Sequence, residues 1–221
     1  MPTAAHTADA MADAWEMALI HRILRHGFEE VTHLVEDVTP GSTARSRAVA
    51  EHLRFTLDGL HNHHSTEDEL LWPALRERAH MPPGVIDRME AQHATLHQGI
   101  ERVQLLLGPW ERGPGPDTSP ALAGALRDVI TGLAEHLAEE ERDIVPLIPR
   151  HVTQQEWDHL GKRAFAKFKP AQRFTAMGEM LEVATPDEAS KMLKGLPAPI
   201  RLFWRIAGKR KYDRYMARVR G

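Results

Sequence analysis

The sequence predicts an all-α protein: an up-down four-helix bundle followed by a C-terminal helical extension. Two observations lead there. Apolar residues recur at steps of three and four over four long stretches, the period of a helix with one buried face. No stretch shows the strict alternation and β-branched enrichment of a strand. Short Gly/Pro-rich breaks separate the stretches, so consecutive helices become neighbours.

The first stretch holds Leu19, Ile20, Ile23, Leu24, Val31, Leu34 and Val35 and is broken at Thr39-Pro40-Gly41-Ser42. The second holds Val49, Leu53, Leu57, Leu60, Leu71 and Leu75 and ends near Met81-Pro82-Pro83-Gly84. The third runs through Ile86, Met89, Leu96, Ile100, Val103 and Leu107, and is expected to stop before the Gly/Pro-rich stretch Gly108 to Pro120. The fourth holds Leu122, Leu126, Val129, Ile130, Leu133, Leu137 and Ile144 and ends around Pro146 to Pro149. Beyond it the helical pieces are shorter. Thr153 with Glu156 three residues on reads as a helix N-cap. Pro170, Pro186, Pro197 and Pro199 punctuate the rest. In the final piece Ile200, Phe203, Trp204, Ala207, Tyr215 and Val219 fall roughly on one stripe.

Charge divides the chain in the same place. Residues 1–150 carry a net charge of −11, residues 151–221 one of +8, and all seven Lys lie from Lys162 onward. The division predicts a bundle over 1–150 and a basic helical extension over 151–221, docked on the acidic bundle through Phe203 and Trp204. At −3 overall, the chain is not an electrostatic nucleic-acid binder, and no nucleic-acid partner is expected. It contains no Cys, which excludes disulfides, thiolate zinc sites, iron–sulfur clusters and cysteine nucleophiles. No apolar run is long enough to span a bilayer, and the N-terminus has no basic start leading into an apolar stretch. A cytoplasmic protein is the expectation.

The outlying number is 14 His, against 2 Tyr and 6 Phe. Two segments superimpose: His63-His64-Ser65-Thr66-Glu67-Asp68-Glu69-Leu70-Leu71-Trp72-Pro73, and His136-Leu137-Ala138-Glu139-Glu140-Glu141-Arg142-Asp143-Ile144-Val145-Pro146, 73 residues apart. Each reads His, three residues, Glu, acid, and a Pro six residues after the Glu. His21 precedes His63 by 42 residues and His93 precedes His136 by 43. The bundle therefore reads as two copies of a helix pair, with a His on the first helix and His-x-x-x-Glu on the second. Residues four apart share a helix face, so each His and Glu can address one ion or two adjacent ones. Buried carboxylates demand a cation, and residues 1–150 contain no Lys, which makes a metal the natural partner, with Arg the alternative.

Nitrogen and oxygen donors without sulfur suit iron, zinc, copper or nickel. Two shared carboxylates with imidazoles fit two ions about 3.5–4 Å apart. His64 with Asp68 competes with His63 and Glu67 for the register, and the repeated Pro selects His63. His26 competes with His21, and the matching intervals select His21. His97 stands one turn beyond His93 and is taken as a further ligand, although its counterpart in the first copy is Arg25. Glu141 is read as support or surface. His6, His33, His52, His61, His80, His151 and His159 have no partner pattern and are read as surface histidines.

Taken in order, His21, His63-x-x-x-Glu67, His93 with His97, and His136-x-x-x-Glu140 resemble the hemerythrin family in its bacterial HHE cation-binding form, over roughly residues 15–150. The order His-x-x-x-Glu is the reverse of the Glu-x-x-His of ferritin-like di-iron proteins. The resemblance implies a four-helix bundle around two iron ions joined by an oxo or hydroxo bridge. Glu67 and Glu140 would bridge them, and His21, His63, His93, His97 and His136 would be terminal ligands. Oxygen carriers of the family place their last acid five residues after the final His, usually Asp. Here that position is Glu141, and Glu140 at four fits the HHE branch better.

Seven protein ligands would leave an open iron position for dioxygen, peroxide or nitric oxide, with apolar residues such as Leu24, Leu60, Leu96, Leu133 and Leu137 setting access. A catalase- or peroxidase-like activity is one outcome of such a site and reversible binding another. The competing reading is a regulatory module that senses metal or oxidant and signals through the basic C-terminal helix.

Overall fold

The computed structural model describes residues 10–221, so His6 lies outside the described residues. The chain is all-helical. Among the described residues there is no strand, only an isolated bridge between Met11 and Thr153.

Helix α1 spans Trp15–Asp37, and the turn after it closes on Gly41, whose φ of +80° is left-handed. Helix α2 spans Thr43–Thr66 and runs on through a π-turn, Glu67–Leu71, into α3, Trp72–Arg78. Pro73 has no N–H to give the carbonyl four residues back, so the α register is interrupted there. The N–H of Trp72 reaches instead to the Glu67 carbonyl, five residues back. Gly84, at φ +83°, starts α4, Val85–Arg112.

The third helix does not stop before Gly108, as expected, but continues through Pro109 to Arg112. The hydrogen bond lost at Pro109 belongs to the carbonyl of Leu105, whose 77% exposure lets water replace it. Trp110 meanwhile holds the last turn, fully buried with its indole N–H on Ser119 Oγ at 3.0 Å. Helix α5, Thr118–Asp143, ends where Pro146 forces a 3₁₀ turn, Val145–Leu147, ahead of the short α6, Ile148–His151.

The four long helices pack in a ring: α1 against α2 and α5, α4 against α2 and α5. The apolar interior is divided in two along every one of them. One core holds Leu24, Leu60, Leu96, Leu133 and Leu137, and the other Met17, Leu71, Trp72, Met89 and Ile144. On each helix the division falls at its His or Glu. His21 lies between Met17 and Leu24, His63 and Glu67 between Leu60 and Leu71, His93 between Met89 and Leu96, and Glu140 between Leu137 and Ile144. A polar layer thus interrupts an otherwise continuous core.

Residues 151–221 wrap this ring. Helix α7, Gln154–Lys167, starts with the expected capping box of Thr153 and Glu156 and packs on α2. Helix α8, Arg173–Val183, packs on α1. A second capping box, Thr185 with Glu188, starts α9, Pro186–Gly195. Helix α10, Ala198–Phe203, passes through a π-turn, Trp204–Gly208, into α11, Lys209–Arg220, which packs on α2 and α8. The π-turn re-phases the stripe read from the sequence. The face that joins the ring's core is Trp204, Tyr212, Met216 and Val219, while Phe203 and Ile200 stay 46% and 47% exposed. Of the two residues expected to dock, Trp204 is buried in that core and Phe203 lies outside against Phe174.

Acidic groups of the ring meet basic ones of the extension at Glu69–Lys167, Glu51–Arg218 and Glu30–Arg220. His52, expected on the surface, is fully buried, because α11 lays Tyr215 over it with the hydroxyl 3.1 Å from its Nδ1. No described helix is long and apolar enough to cross a membrane.

Candidate metal centre

The polar layer is a cluster of imidazoles and carboxylates. His21, Glu67, His136 and Glu140 are fully buried, His64 and His93 nearly so, and the His63 side chain is 10% exposed. Their donor atoms converge in three overlapping groups: His21, His63 and Glu140; His64, His93 and His136; and Glu67, His136 and Glu140. Within each group the donor atoms lie within 4.8 Å of one another.

The imidazoles are held from behind. His93 donates its Nδ1–H to Asp68 at 2.8 Å, His21 to Glu141 at 2.9 Å, and His136 to the Gln92 side-chain oxygen at 3.0 Å. In the neutral ring each of these bonds fixes the tautomer that leaves Nε2 with an inward lone pair, the usual arrangement behind metal-bound imidazoles. The supports are themselves braced: Arg25 donates to Glu141 at 2.9 Å, and the Trp72 indole N–H to Asp68 at 2.9 Å.

Inside the cluster satisfaction fails. Nε2 of His21, His63 and His64, and both carboxylate oxygens of Glu67 and of Glu140, are buried without a hydrogen-bond partner. Nε2 of His21 comes within 3.2 Å of Glu140 and that of His63 within 3.4 Å of Glu67, in neither case with the alignment of a hydrogen bond. Nε2 of His93 and Nε2 of His136 face each other at 3.2 Å. Orphaned buried donors and acceptors each cost roughly 1–3 kcal/mol, so seven gathered at one point need a partner.

Electrostatics carry the same message. Burial, and then the neighbouring Glu140, push the Glu67 carboxyl well up. Burial acts on Glu140 too, but the close approach of His21, with His63 and His136 behind it, outweighs burial and holds that carboxyl well down. Burial lowers His63 to about 3 and His136 to about 4, and takes His64 well down as well, the surrounding imidazoles adding to it. His21 runs the other way, because Glu140 and Glu141 outweigh its burial. The imidazoles of His63, His64 and His136 are therefore neutral at pH 7 and able to offer a lone pair to a cation.

Six of the seven residues singled out from the sequence come together: His21, His63, Glu67, His93, His136 and Glu140. His97 does not. Its side chain is 58% exposed and sits 3.5 Å from Glu101 on the surface of α4. The physical reason is angular: the turn after His93 turns Leu96, not His97, toward the core. His64 takes the empty place. It is 6% exposed, and its ring stacks on His93 with centroids 3.9 Å apart. The sequence set His63 and His64 against each other as alternatives, whereas the fold brings both to the cluster. The donor set is five imidazoles and two carboxylates with no sulfur, which fits iron.

No curated protein and no solved structure matches the chain. The model of the hemerythrin HHE cation-binding domain matches residues 14–148, more than half of the 221. That span begins one residue before α1, ends at the start of α6 and holds every residue of the cluster, and the chain belongs to the hemerythrin HHE cation-binding domain family.

Proposed function

We propose that this chain is a non-haem di-iron protein acting on dioxygen, peroxide or nitric oxide, its ring of helices being the up-down bundle of its family. The observation that carries the reading is the convergence of buried Nε2 and carboxylate oxygens from all four long helices, seven of these atoms being without a hydrogen-bond partner. His21, His63, His64, His93 and His136, with Glu67 and Glu140, would together hold the iron. Two ferrous ions, when bound, would together supply two electrons to such an oxidant.

The protein's own part is to hold and exclude. Glu141 and Asp68 keep Nδ1–H of His21 and His93 engaged, so both rings keep one orientation as charge changes beside them. Gln92 does the same for His136. Leu24, Leu60, Leu96, Leu133 and Leu137, none more than 5% exposed, keep bulk water from one side, and Leu71, Trp72, Met89 and Ile144, at 0–1%, from the other. A dry site strengthens every interaction made with charge inside it.

The test is iron stoichiometry after anaerobic ferrous loading and desalting. Two irons per chain, falling sharply in Glu67→Ala and His136→Ala, are expected. No retained iron, or a single ion indifferent to both substitutions, overturns the reading. Peroxide consumption by the loaded protein, lost in His63→Ala, then separates turnover from reversible binding.

A further inference from the structure

The extension's charge is only partly used in docking. Its inward-facing basic groups meet acids of the ring or of α8: Lys167 and Arg163 at Glu69, Arg218 at Glu51, Arg220 at Glu30 and Glu182. The outward face of α10, its π-turn and α11 is different. Arg205, Arg210 and Arg214 are exposed and make no ion pair or side-chain hydrogen bond among the described residues, and the Lys211 ammonium lies over the Phe174 ring at 4.7 Å. On the same segment stand exposed apolar side chains: Ile200 at 47%, Leu202 at 57%, Phe203 at 46% and Ile206 at 62%. Leu202 and Ile206 stand four residues apart across the start of the π-turn, Arg210 and Arg214 four apart on α11, and all four are exposed.

We propose that this face docks on an anionic lipid surface. A helix lying in the membrane interface needs large apolar side chains to enter the headgroup region and Lys or Arg beside them to meet lipid phosphates. The outward face supplies both. The long cationic side chains can reach the phosphates while their stems lie along the apolar ones. A nucleic acid would use the cations and leave Leu202 and Ile206 with nothing to bury against.

The experiment is flotation of the full chain with vesicles of phosphatidylcholine alone and with added phosphatidylglycerol, over a range of salt. Binding to the anionic vesicles only, weakening as salt rises, is expected. Ile206→Asp should weaken it by about tenfold or more, since it exchanges an inserting side chain for a repelled one. The triple substitution Arg205→Gln, Arg210→Gln, Arg214→Gln should abolish the preference for anionic lipid, each cation contributing about fivefold. All these positions are exposed, so far-UV circular dichroism and Tm should stay as in the parent and show that the variants fold. Failure to float with anionic vesicles, or flotation indifferent to these substitutions, overturns the proposal. So does a concentration-dependent dimer abolished by Ile206→Asp, or retention on DNA, without vesicle binding. Iron content is unaffected in either case, which keeps this test apart from that of the metal centre.

Discussion

Glu141 accepts the Nδ1–H of His21 at 2.9 Å across 120 residues of sequence, and its counterpart Asp68 accepts that of His93 at 2.8 Å. Each acid directly follows a cluster carboxylate, Glu140 or Glu67, and each serves the first-helix histidine of the other helix pair. The two halves of the ring therefore complete one another's site. If these acids orient imidazoles for iron, Glu141→Ala and Asp68→Ala should each reduce iron affinity by about 10- to 100-fold with little change in fold. Competition titration against a chelator checks it. Loss confined to one of the pair would break the reciprocity.

His64 and His97 make opposite predictions. His97→Ala should leave iron content and affinity as in the parent, since its ring is on the surface beside Glu101. If the proposed di-iron site forms, His64→Ala should weaken one of its ions, and iron per chain should fall toward one when the metal is limiting. X-ray absorption, counting imidazole scattering per iron before and after His64→Ala, is the direct check. An unchanged count would return His64 to a packing role on His93.

What the sequence displayed, and what it hid, has a common cause. The duplicated His-x-x-x-Glu with its matched 42- and 43-residue intervals is a periodic signal, and periodic signals survive folding. The four helices and six of the cluster residues were legible for that reason. The acid after each Glu was part of the same repeat, so the cross-support by Asp68 and Glu141 was present in the pattern, but only the ring's closure shows which histidine each one reaches. His97 was misplaced because a position one turn from a ligand is not the same angle, and Leu96 holds the inward one. Its replacement, His64, is adjacent to His63, and a simple face argument treats adjacent positions as exclusive. The π-turns at Glu67–Leu71 and Trp204–Gly208 were invisible to a 3.6-residue period by their nature. His52 looked solitary because its partner, Tyr215, comes from the extension 163 residues away.

The junction between ring and extension has its own pH dependence. Burial, then the charges of Glu30 and Glu182, push the Glu179 carboxyl up to about 8 against the pull of Arg220. His52 Nε2 stands 3.8 Å from it. A carboxyl raised in the folded state binds a proton that the unfolded chain has already released. Stability from this group is therefore full below the ordinary value of 4.5 and declines as pH rises toward 8. Glu179→Gln, which mimics the protonated form, should remove that decline and make the protein more stable than the parent at pH 9, by an amount of the order of 5 kcal/mol at most. Glu30 works in the opposite sense. Burial raises it, but His52 and Arg220 outweigh that and hold it down at about 2, so its contribution is present above pH 4.5 and lost toward pH 2. Thermal melts across pH for the parent and Glu179→Gln separate the two, and parallel curves would remove Glu179 as the source.

The same junction depends on a side chain that is not there. A Cβ placed on Gly178 of α8 would run into the Tyr212 ring of α11, closer than atoms can approach. Tyr212 cannot easily retreat, since it is 7% exposed in the shared core and its hydroxyl donates to Glu182. Gly178→Ala must then displace α11 from α8, and overpacking of this kind costs about 1–3 kcal/mol. A helix-interior Gly→Ala change would otherwise gain about 1 kcal/mol from propensity alone, so the sign of the effect is diagnostic. Trimming the ring should restore that gain: in a Tyr212→Ala background Gly178→Ala should become neutral or stabilising. The coupling read from this double-mutant cycle measures the contact between the two helices. A destabilisation that persisted unchanged without the Tyr212 ring would place its origin elsewhere.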